Sequence, residues 1–371
     1  MNSDLVSVLS TVQDPRSDKN KRYLLEEILL LCVCAAISGA DGWKSIAEFG
    51  RTKLNWLRKF LEFKNGTPSD DCIGWVMARL SPTALQECFI TWTKSIADLT
   101  KGDVIAIDGK TLRGSHDRSN GRSAVHMVSA WANANRISLG QVATEEKSNE
   151  ITAIPKLLRM LDIKGAIVSI DAMGCQKKIA EQIVSQGADY ILAVKDNQPD
   201  LHEAIKDYFE TAKTTDFLSV PVSYDEQTNA DHGRVEVRRC WLANDISTLP
   251  QPKNWHGLQS IALLESERHQ GGYTTRESRY YITTLTGEAK PFANAVRAHW
   301  GIENSLHWVL DVTFREDDCR IRRNNAPANL NTVRQISLNL IKKTKNRMSV
   351  KQTRFKAAWD DSFRSHILAN Q

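Results

Sequence analysis

The chain has 371 residues, of which 41% are hydrophobic and 25% charged, and its formal net charge is +5. This composition is ordinary for a folded protein, and the length favours two or three domains. The seven cysteines are scattered, odd in number and without a CxxC pair. That pattern argues against a disulfide framework or a zinc ribbon and predicts a cytoplasmic protein. The apolar run at 28–40 is too short to cross a bilayer and follows no cleavable signal, so we expect neither membrane association nor export.

Positive charge is concentrated towards the C-terminus. Residues 319–356 contain eleven Lys or Arg and no Asp or Glu. A solvated helix face is the alternative explanation, but so one-sided a run favours a polyanionic partner such as nucleic acid.

Residues 1–100 predict a helical N-terminal domain. Helix patterns occupy 24–38, 45–49, 54–63, 71–80 and 83–99, with breakers such as Gly66-Thr67-Pro68 and Ser81-Pro82 between them. Because bases are read by elements that enter a groove, these helices are candidates for sequence-specific recognition of nucleic acid or for dimerisation.

The pattern changes at Lys101-Gly102. Three strands, then helix, strand, helix, strand and helix are predicted in turn at 103–108, 125–132, 137–143, 151–161, 166–171, 176–185, 190–194 and 199–209. This β-β-β-α-β-α-β-α order matches an RNase H-like fold, in which the first and fourth strands lie side by side. Residues 101–210 would form the first part of such a core.

The rest of the chain completes a predicted α/β architecture. Residues 211–287 are typical of a β-rich insertion, with strands at 219–224, 235–241, 260–265 and 280–285. Residues 288–345 would supply the final helices of the core, at 291–310 and 328–343, and 346–371 a weakly ordered basic tail. The predicted fold is therefore an RNase H-like mixed sheet flanked by helices, with a helical N-terminal domain and a β-rich insertion before the last catalytic helix.

Three acids are the strongest candidates for chemistry. Asp108 and Asp171 each end a Val- and Ile-rich run typical of a buried central strand, and Glu303 lies in an aromatic, histidine-rich helix. Each alone has an ordinary alternative: a turn, a helix cap and an exposed helix position, respectively. Taken together, the three acids indicate a catalytic site more strongly than each does alone. Aspartates at the carboxyl ends of core strands point into the crevice where α/β sheets bind ligands. Three such acids are what two divalent metals need to cut a phosphodiester.

Ordered motifs carry a resemblance to a known family. They are Asp14-Pro15-Arg16, Ala106-Ile107-Asp108-Gly109-Lys110, Lys147-Ser148-Asn149-Glu150-Ile151, Ile170-Asp171-Ala172-Met173-Gly174-Cys175-Gln176, Ala188-Asp189-Tyr190, Lys195-Asp196-Asn197-Gln198, His232-Gly233-Arg234, His299-Trp300-Gly301-Ile302-Glu303-Asn304-Ser305-Leu306-His307-Trp308 and Leu310-Asp311-Val312. On these motifs the chain resembles bacterial insertion-sequence transposases of the DDE class, and closely the H-repeat-associated group.

The resemblance implies an RNase H-like core whose catalytic and metal-binding triad is Asp108, Asp171 and Glu303. This triad would hold two Mg²⁺ or Mn²⁺ ions per active site. One ion would activate water or a DNA 3′-hydroxyl, and the other would stabilise the leaving 3′-oxygen. The implied partner is double-stranded DNA, both as element ends and as target. Joining two ends needs two active sites and therefore a homodimer on DNA; no small-molecule cofactor is implied.

The surroundings of the third acid depart from the pattern of related transposases. Those proteins place a Tyr, an Arg and a Lys at fixed spacing around the acid, with the Lys seven positions after it. In this chain Leu310 stands at the position of that Lys, and Arg297 lies six positions before Glu303. The roles of that Arg and Lys therefore do not transfer. Asp311 is a weaker candidate for the third acid.

Candidate DNA contacts are Lys110, Arg113, Lys195, Arg234, Arg297 and His299. Lys110 and Arg113 follow the first acid and would touch phosphates near the scissile bond, or else lie in a solvated loop. Lys195, at the end of the fifth strand, would contact a phosphate or cap a helix. Arg234, with His232, lies in the β-rich insertion and would contact DNA or shape a turn.

The histidines and tryptophans around Glu303 have two interpretations each. His299 and His307 would tune the metals or grip DNA, or else be buried, hydrogen-bonded structural side chains. Trp300 and Trp308 recur at i and i+8, which is more typical of packing than of base stacking.

Three functions remain open from the sequence. The leading one is a transposase that binds terminal inverted repeats, cuts there and joins the ends to a target. An RNase H-like nuclease or resolvase would share the acids and lack strand joining, and a DNA-binding remnant would lack activity altogether. The helical N-terminal region and the β-rich insertion favour the transposase, because a simple nuclease needs neither.

Overall fold

The computed structural model describes residues 5–19, 21–117, 120–144, 150–218, 220–231, 233–344 and 346–369. The chain forms two compact units. The first comprises Met1–Asp98, Gly109–Asp162 and Ile302–Gln371, and the second comprises Leu99–Asp108 and Ile163–Gly301. Residues 109–162, which belong to the predicted core segment 101–210, lie in the first unit together with the terminal segments.

The secondary structure follows the predicted order. The helices are α1 Leu5–Leu9, α2 Leu25–Ile37, α3 Trp43–Leu57, α4 Asp70–Arg79, α5 Pro82–Ile96, α6 Glu150–Met160, α7 Lys177–Ser185, α8 Pro199–Thr214, α9 Ala289–Ile302, α10 Ala326–Lys343, α11 Val350–Trp359 and α12 Asp361–Ala369. The strands are β1 Val104–Thr111, β2 His126–Ala132, β3 Ile137–Ala143, β4 Ile167–Ile170, β5 Asp189–Val194, β6 Val222–Asp231, β7 Arg234–Ala243, β8 Ser260–Gln270 and β9 Tyr273–Thr283. Across the described residues, no helix is long and apolar enough to cross a membrane.

In the first unit, α10 is a central helix whose side chains are buried almost all the way round. Its polar residues find partners from distant parts of the chain. The Asn339 amide exchanges two hydrogen bonds with the Ser138 backbone on β3, at 2.9 and 2.8 Å. The Asn329 amide donates to the carbonyls of Met77 and Leu80 on and after α4. Polar groups that form such hydrogen bonds can be buried without a large desolvation cost.

The burial of α10 corrects the interpretation of the basic run at 319–356. Arg334 is buried in an ion pair with Glu316, and Arg354 is buried against the backbone, donating to the Ala36 carbonyl at 3.0 Å. The run is therefore not one continuous face for a polyanion. Exposed basic residues remain before α10, at Arg320 and Arg323.

The C-terminal segment is folded rather than a weakly ordered tail. The Trp56 indole on α3 donates to Ser365 Oγ on α12 at 2.9 Å. The Arg364 guanidinium is fully buried and lies 4.1 Å from the Trp56 ring centroid. These contacts anchor α12 on the N-terminal helices, because a buried cation over an aromatic face is stabilised by the ring quadrupole.

The sheet of the second unit begins with parallel strands. The first part of β1 pairs in parallel with β4, and β4 with β5. Strand β9 then pairs with β5 in the antiparallel direction, and β8, β7 and β6 follow as antiparallel neighbours. Residues 211–287 are thus β-rich, as predicted, and their strands extend the same sheet. Helix α9 packs its apolar face, including Phe292 and Val296, against Leu242 and Tyr281 of this sheet.

Strand β1 belongs to both units, because its last three residues, Gly109–Thr111, lie in the first. There it continues beside β2, which pairs antiparallel with β3. The strand order around β1 is therefore β3-β2-β1 on one side and β1-β4-β5 on the other. This is the RNase H-like arrangement predicted from the element order, and the α/β fold class is confirmed.

Candidate active site

In the second unit, Asp108 and Asp171 each follow the last residue that β1 and β4 pair with one another; β1 itself continues past Asp108 to Thr111, so the predicted strand end at 108 is wrong. The register of β1 and β4 pairs Ile107 with Ile170, so each aspartate is the next residue along its strand. Because the two strands are parallel and in this register, the next residue of each strand lies beside that of the other. Both aspartates are partly buried there. The predicted juxtaposition of these two acids is therefore present in the backbone.

Asp171 also performs the capping role considered as its alternative. Its Oδ1 accepts hydrogen bonds from the backbone N–H groups of Met173 at 3.1 Å and Gly174 at 3.4 Å. These bonds cap the short 3₁₀ turn Ala172–Gly174. Capping fixes the orientation of the carboxylate, and a carboxylate held by backbone donors can still use its other lone pairs as a ligand.

Glu303 lies in the first unit at the start of a widened helix. The sequence predicts one helix over 291–310, but α9 ends at Ile302 and the chain continues as π-helical turns Glu303–His307 and Val309–Thr313. The Trp308 N–H donates to the Glu303 carbonyl five residues back, which defines the wider turn. The Glu303 side chain is exposed, whereas Leu306 behind it is buried. Turns of this kind are frequent at functional sites.

A buried charge cluster lies next to this segment in the first unit. The Lys110 ammonium forms ion pairs with Asp311 and with Glu316, the latter at 2.6 Å. Glu316 also accepts from Asn331 Nδ2 at 2.6 Å and from the Arg334 guanidinium at 3.3 Å. Burial raises the pKa of Glu316, but the two cations outweigh burial and hold the pKa below its usual value. Burial raises the pKa of Asp311 despite its ion pair with Lys110.

This cluster changes the interpretation of two candidates. Lys110 is not in a solvated loop, because its ammonium is largely buried and two carboxylates already neutralise its charge. A positioning role fits it better than a phosphate contact. Asp311 is engaged by the same lysine, which favours the exposed Glu303 over Asp311 as the third acid.

The other candidate DNA contacts are mostly exposed. Arg113 is 80% exposed and lies 3.7 Å from Asp317. Lys195 and Arg297 are exposed, Arg234 is exposed at the start of β7, and His299 is partly buried. His232 and residues 147–149 of the motif before α6 lie outside the described residues.

Both tryptophans around Glu303 are exposed, contrary to the packing role expected for them. Trp300 is 39% and Trp308 57% exposed. The Arg279 guanidinium lies 4.8 Å from the Trp300 ring centroid, within the second unit. Exposed aromatic faces can stack on bases or on arginines.

Sequence reasoning missed a polar pair beside the first acid. His126 Nε2 lies 2.8 Å from Glu150 Oε1, and His126 Nδ1 lies 2.9 Å from Thr111 Oγ1. A Cβ on Gly109 would lie 2.0 Å from Glu150 Oε1 and 2.5 Å from His126 Nε2, so the residue after Asp108 must be glycine unless this pair moves. The available signal was a histidine opening the otherwise apolar strand β2.

The donor chemistry suits a hard divalent cation. Asp108 and Asp171 offer carboxylate oxygens at adjacent positions of neighbouring strands, which are the donors that Mg²⁺ and Mn²⁺ prefer. Within the ranges described, no group of three or more His, Cys, Asp or Glu side chains is close enough to hold a metal ion. The residues therefore fit the cation in chemical type, with two acids brought together by the sheet.

Comparison with known proteins identifies the class. Residues 99–340 match the family described as "Transposase DDE domain", and residues 6–93 match the "DDE_Tnp_1-associated" domain. The chain belongs to the DDE transposase family. Among its relatives is the "Putative transposase YncI" of Escherichia coli O157:H7, 42% identical over 99% of this chain and 94% of that protein. The "H repeat-associated putative transposase YhhI" of Escherichia coli K12 is 40% identical over 98% of this chain and 97% of that protein. The resemblance found in the sequence motifs is confirmed.

A more distant similarity is to a solved piggyBac transposase synaptic complex with hairpin DNA. It has a TM-score of 0.44 and 11% identity, and covers 98% of this chain and 78% of that one. Family membership rests on the sequence relatives, of which one shorter protein, matching 20% of this chain at 40% identity, is named "Inactive transposase YbfQ".

Proposed function

We propose that this protein is an active transposase that binds the terminal inverted repeats of an insertion element, cleaves there and transfers the ends to target DNA. Asp108, Asp171 and Glu303 are its catalytic acids. The observation that carries the proposal is the parallel register of β1 and β4, which brings the first two acids side by side. Membership of the DDE family supports the same chemistry.

The chain's own residues prepare this site for phosphodiester chemistry. Backbone donors at Met173 and Gly174 orient the Asp171 carboxylate. The bare Cα of Gly109, the residue after Asp108, lets Glu150 and His126 pack closely against the strand there. Bound Mg²⁺ or Mn²⁺, held by the three acids, would supply activation of the attacking hydroxyl and charge stabilisation at the leaving 3′-oxygen.

DNA is held by exposed basic side chains in this proposal. Arg113, Lys195, Arg234 and Arg297 are exposed and can contact phosphates, which position a duplex without reading its sequence. The helical N-terminal region reads the repeat or pairs two subunits, and the joining of two ends requires a homodimer. The activity belongs in the cytoplasm, where bacterial DNA lies.

Isosteric variants test the triad. Asp108→Asn, Asp171→Asn and Glu303→Gln should each abolish cleavage of DNA carrying the element ends while binding persists, because the shape is kept and the ligand charge is lost. The matched control is Asp207→Asn, an exposed acid on α8, which should cleave normally. Retained cleavage in a single variant removes that residue from the triad.

The products distinguish the proposal from its alternatives. A transposase releases element ends and joins them to target DNA. Cleavage without joined products would favour a nuclease or resolvase, and binding without cleavage by the unmodified protein would indicate a DNA-binding remnant.

A further inference from the structure

An arginine-lined cleft in the first unit has no role in the site described above. It has a volume of about 650 Å³, and its lining includes Arg79 at the end of α4, Arg122, and Arg322 before α10. A second depression of about 710 Å³ shares Arg122 and Arg322 with it and adds Arg323. We call these four residues and the space between them the arginine cleft.

The arginines of this cleft are held in place by neutral groups. Arg122 donates to Asn324 Oδ1 at 2.7 Å, and Arg322 donates to the Gly114 carbonyl at 3.2 Å. The Arg79 guanidinium lies 3.9 Å from the ring centroid of the exposed Trp75. Stacking and hydrogen bonds of this kind preorganise guanidinium groups while leaving further N–H donors for a ligand.

The cleft retains its positive charge. Among the described residues, no carboxylate lies within ion-pair distance of the four guanidinium groups, and the lining of the first space, that of about 650 Å³, contains no acid. Asp117 lines the second depression only. The buried cations nearby differ, because Lys110 and Arg334 are both paired with Glu316. Four uncompensated arginines around one cleft favour a ligand with several negative charges.

The position of the cleft relates it to β1. Its lining includes His126, which contacts Glu150, and both side chains pack over the Cα of Gly109. Gly109 is the residue that follows Asp108 in the chain. The cleft therefore adjoins β1 at Gly109, through His126.

We propose that the arginine cleft binds the sugar–phosphate backbone of duplex DNA and guides it past the end of β1. The cleft is wide and polar, and planar guanidinium groups match phosphate oxygens in a bidentate manner. This inference rests on the proposed function. It adds the four cleft arginines to the DNA contacts proposed above.

The test uses residues whose side chains do not support the backbone. The double variant Arg79→Gln/Arg323→Gln removes two charges from the cleft and leaves the bonds of Arg122 and Arg322 intact. The control, Lys94→Gln/Arg159→Gln, removes two exposed charges from α5 and α6, elsewhere in the same unit. Each phosphate contact contributes about −0.9 to the slope of log K against log salt. For duplex DNA we expect the magnitude of this negative slope to be smaller by about 2 in the cleft variant. We also expect this variant to bind about tenfold more weakly at moderate salt.

The control should keep the slope of the unmodified protein, and thermal melts should show that both variants fold. An unchanged slope in the folded cleft variant overturns the inference, as does stronger competition by a matched duplex RNA than by duplex DNA. Asp108→Asn should bind with the unmodified slope. If the unmodified protein cleaves element ends but the cleft variant binds DNA normally, the proposed function is supported and the inference about the cleft is wrong. If the cleft variant has the smaller salt dependence but the unmodified protein never cleaves DNA, the inference about the cleft is supported and the proposed function is wrong.

Discussion

Lys110 and Glu316 form a buried ion pair, with 2.6 Å between Nζ and Oε2 and side-chain exposures of 13% and 1%. Lys110 stands two residues after Asp108 on β1, and Glu316 follows the π-helical turns that begin at Glu303. The ion pair therefore connects β1, two residues after Asp108, to the segment that begins at Glu303. Its role within the first unit is to fix that segment against β1.

Removing the lysine should destabilise the fold strongly. Lys110→Met leaves Glu316 buried with Arg334 as its remaining cation, and breaking a buried pair costs about 3–5 kcal/mol. Arg113→Met is the matched control, because Arg113 is 80% exposed and its pair with Asp317 is worth about 0–1 kcal/mol. Urea denaturation of the three proteins measures both effects. Equal stability of the two variants would show that the Lys110 cluster does not stabilise the fold.

The sheet and two of the acids could be predicted from sequence because their signal is local. Apolar Val- and Ile-rich runs define β1 and β4, and the element order alone places these strands side by side. Asp108 and Asp171 then follow from their positions at the strand ends. The strands themselves need only the pattern of neighbouring residues, whereas their side-by-side placement also needs the match of the element order to the RNase H-like fold.

The interior of the first unit could not be predicted, because its partners are distant in the chain. Asn339 looks like an exposed helix residue until its partner Ser138, 201 positions away, is known. The same holds for Lys110 and Glu316, which are 206 positions apart. The prediction that the basic run at 319–356 binds a polyanion as a whole is wrong for the same reason. Sequence periodicity indicates a helix but does not identify polar groups that satisfy each other in a core.

Lys342 makes folding sensitive to alkaline pH. Burial, and to a lesser extent Arg136, lowers the pKa of Lys342 to about 8 in the folded protein, below its ordinary value of 10.5. Between these values the unfolded chain binds more protons than the folded one, so the contribution of this group to stability rises with pH. Below pH 8 the folded protein carries the full cost of a poorly solvated ammonium.

We therefore expect Lys342→Met to be more stable than the unmodified protein at pH 7, and the difference to shrink between pH 8 and pH 10. Denaturant titrations of both proteins at each pH measure it, since other groups titrate equally in the two. A difference that stays constant across this range would contradict the lowered pKa.

The seven cysteines should divide sharply by reactivity. Burial raises the pKa of five thiols to about 12; they are Cys32, Cys34, Cys88, Cys175 and Cys240. Only thiolates react readily, so these five should resist a thiol reagent in the folded protein. Cys72 and Cys319 are partly exposed; burial raises the pKa of Cys72 too, so its accessibility is what distinguishes it from the five buried thiols. We expect two fast-reacting thiols in the native protein and seven in denaturant, and none fast in Cys72→Ser/Cys319→Ser.

Gly114 is a position where a single methyl group should disrupt the wall of the arginine cleft. A Cβ there would lie 1.9 Å from the Cys319 carbonyl oxygen and 3.0 Å from its carbon. These are backbone atoms, so the conflict cannot be relieved by rotating a side chain, and overpacking of this kind costs about 1–3 kcal/mol.

Gly42→Ala is the control, because no atom lies within 4 Å of its added Cβ and its backbone is extended. We expect Gly114→Ala to lower the melting temperature and to weaken duplex DNA binding, since Arg322 donates to the Gly114 carbonyl, while Gly42→Ala changes neither by much. Normal melting and binding by Gly114→Ala would mean that residues 113–115 and 319–322 do not pack as described.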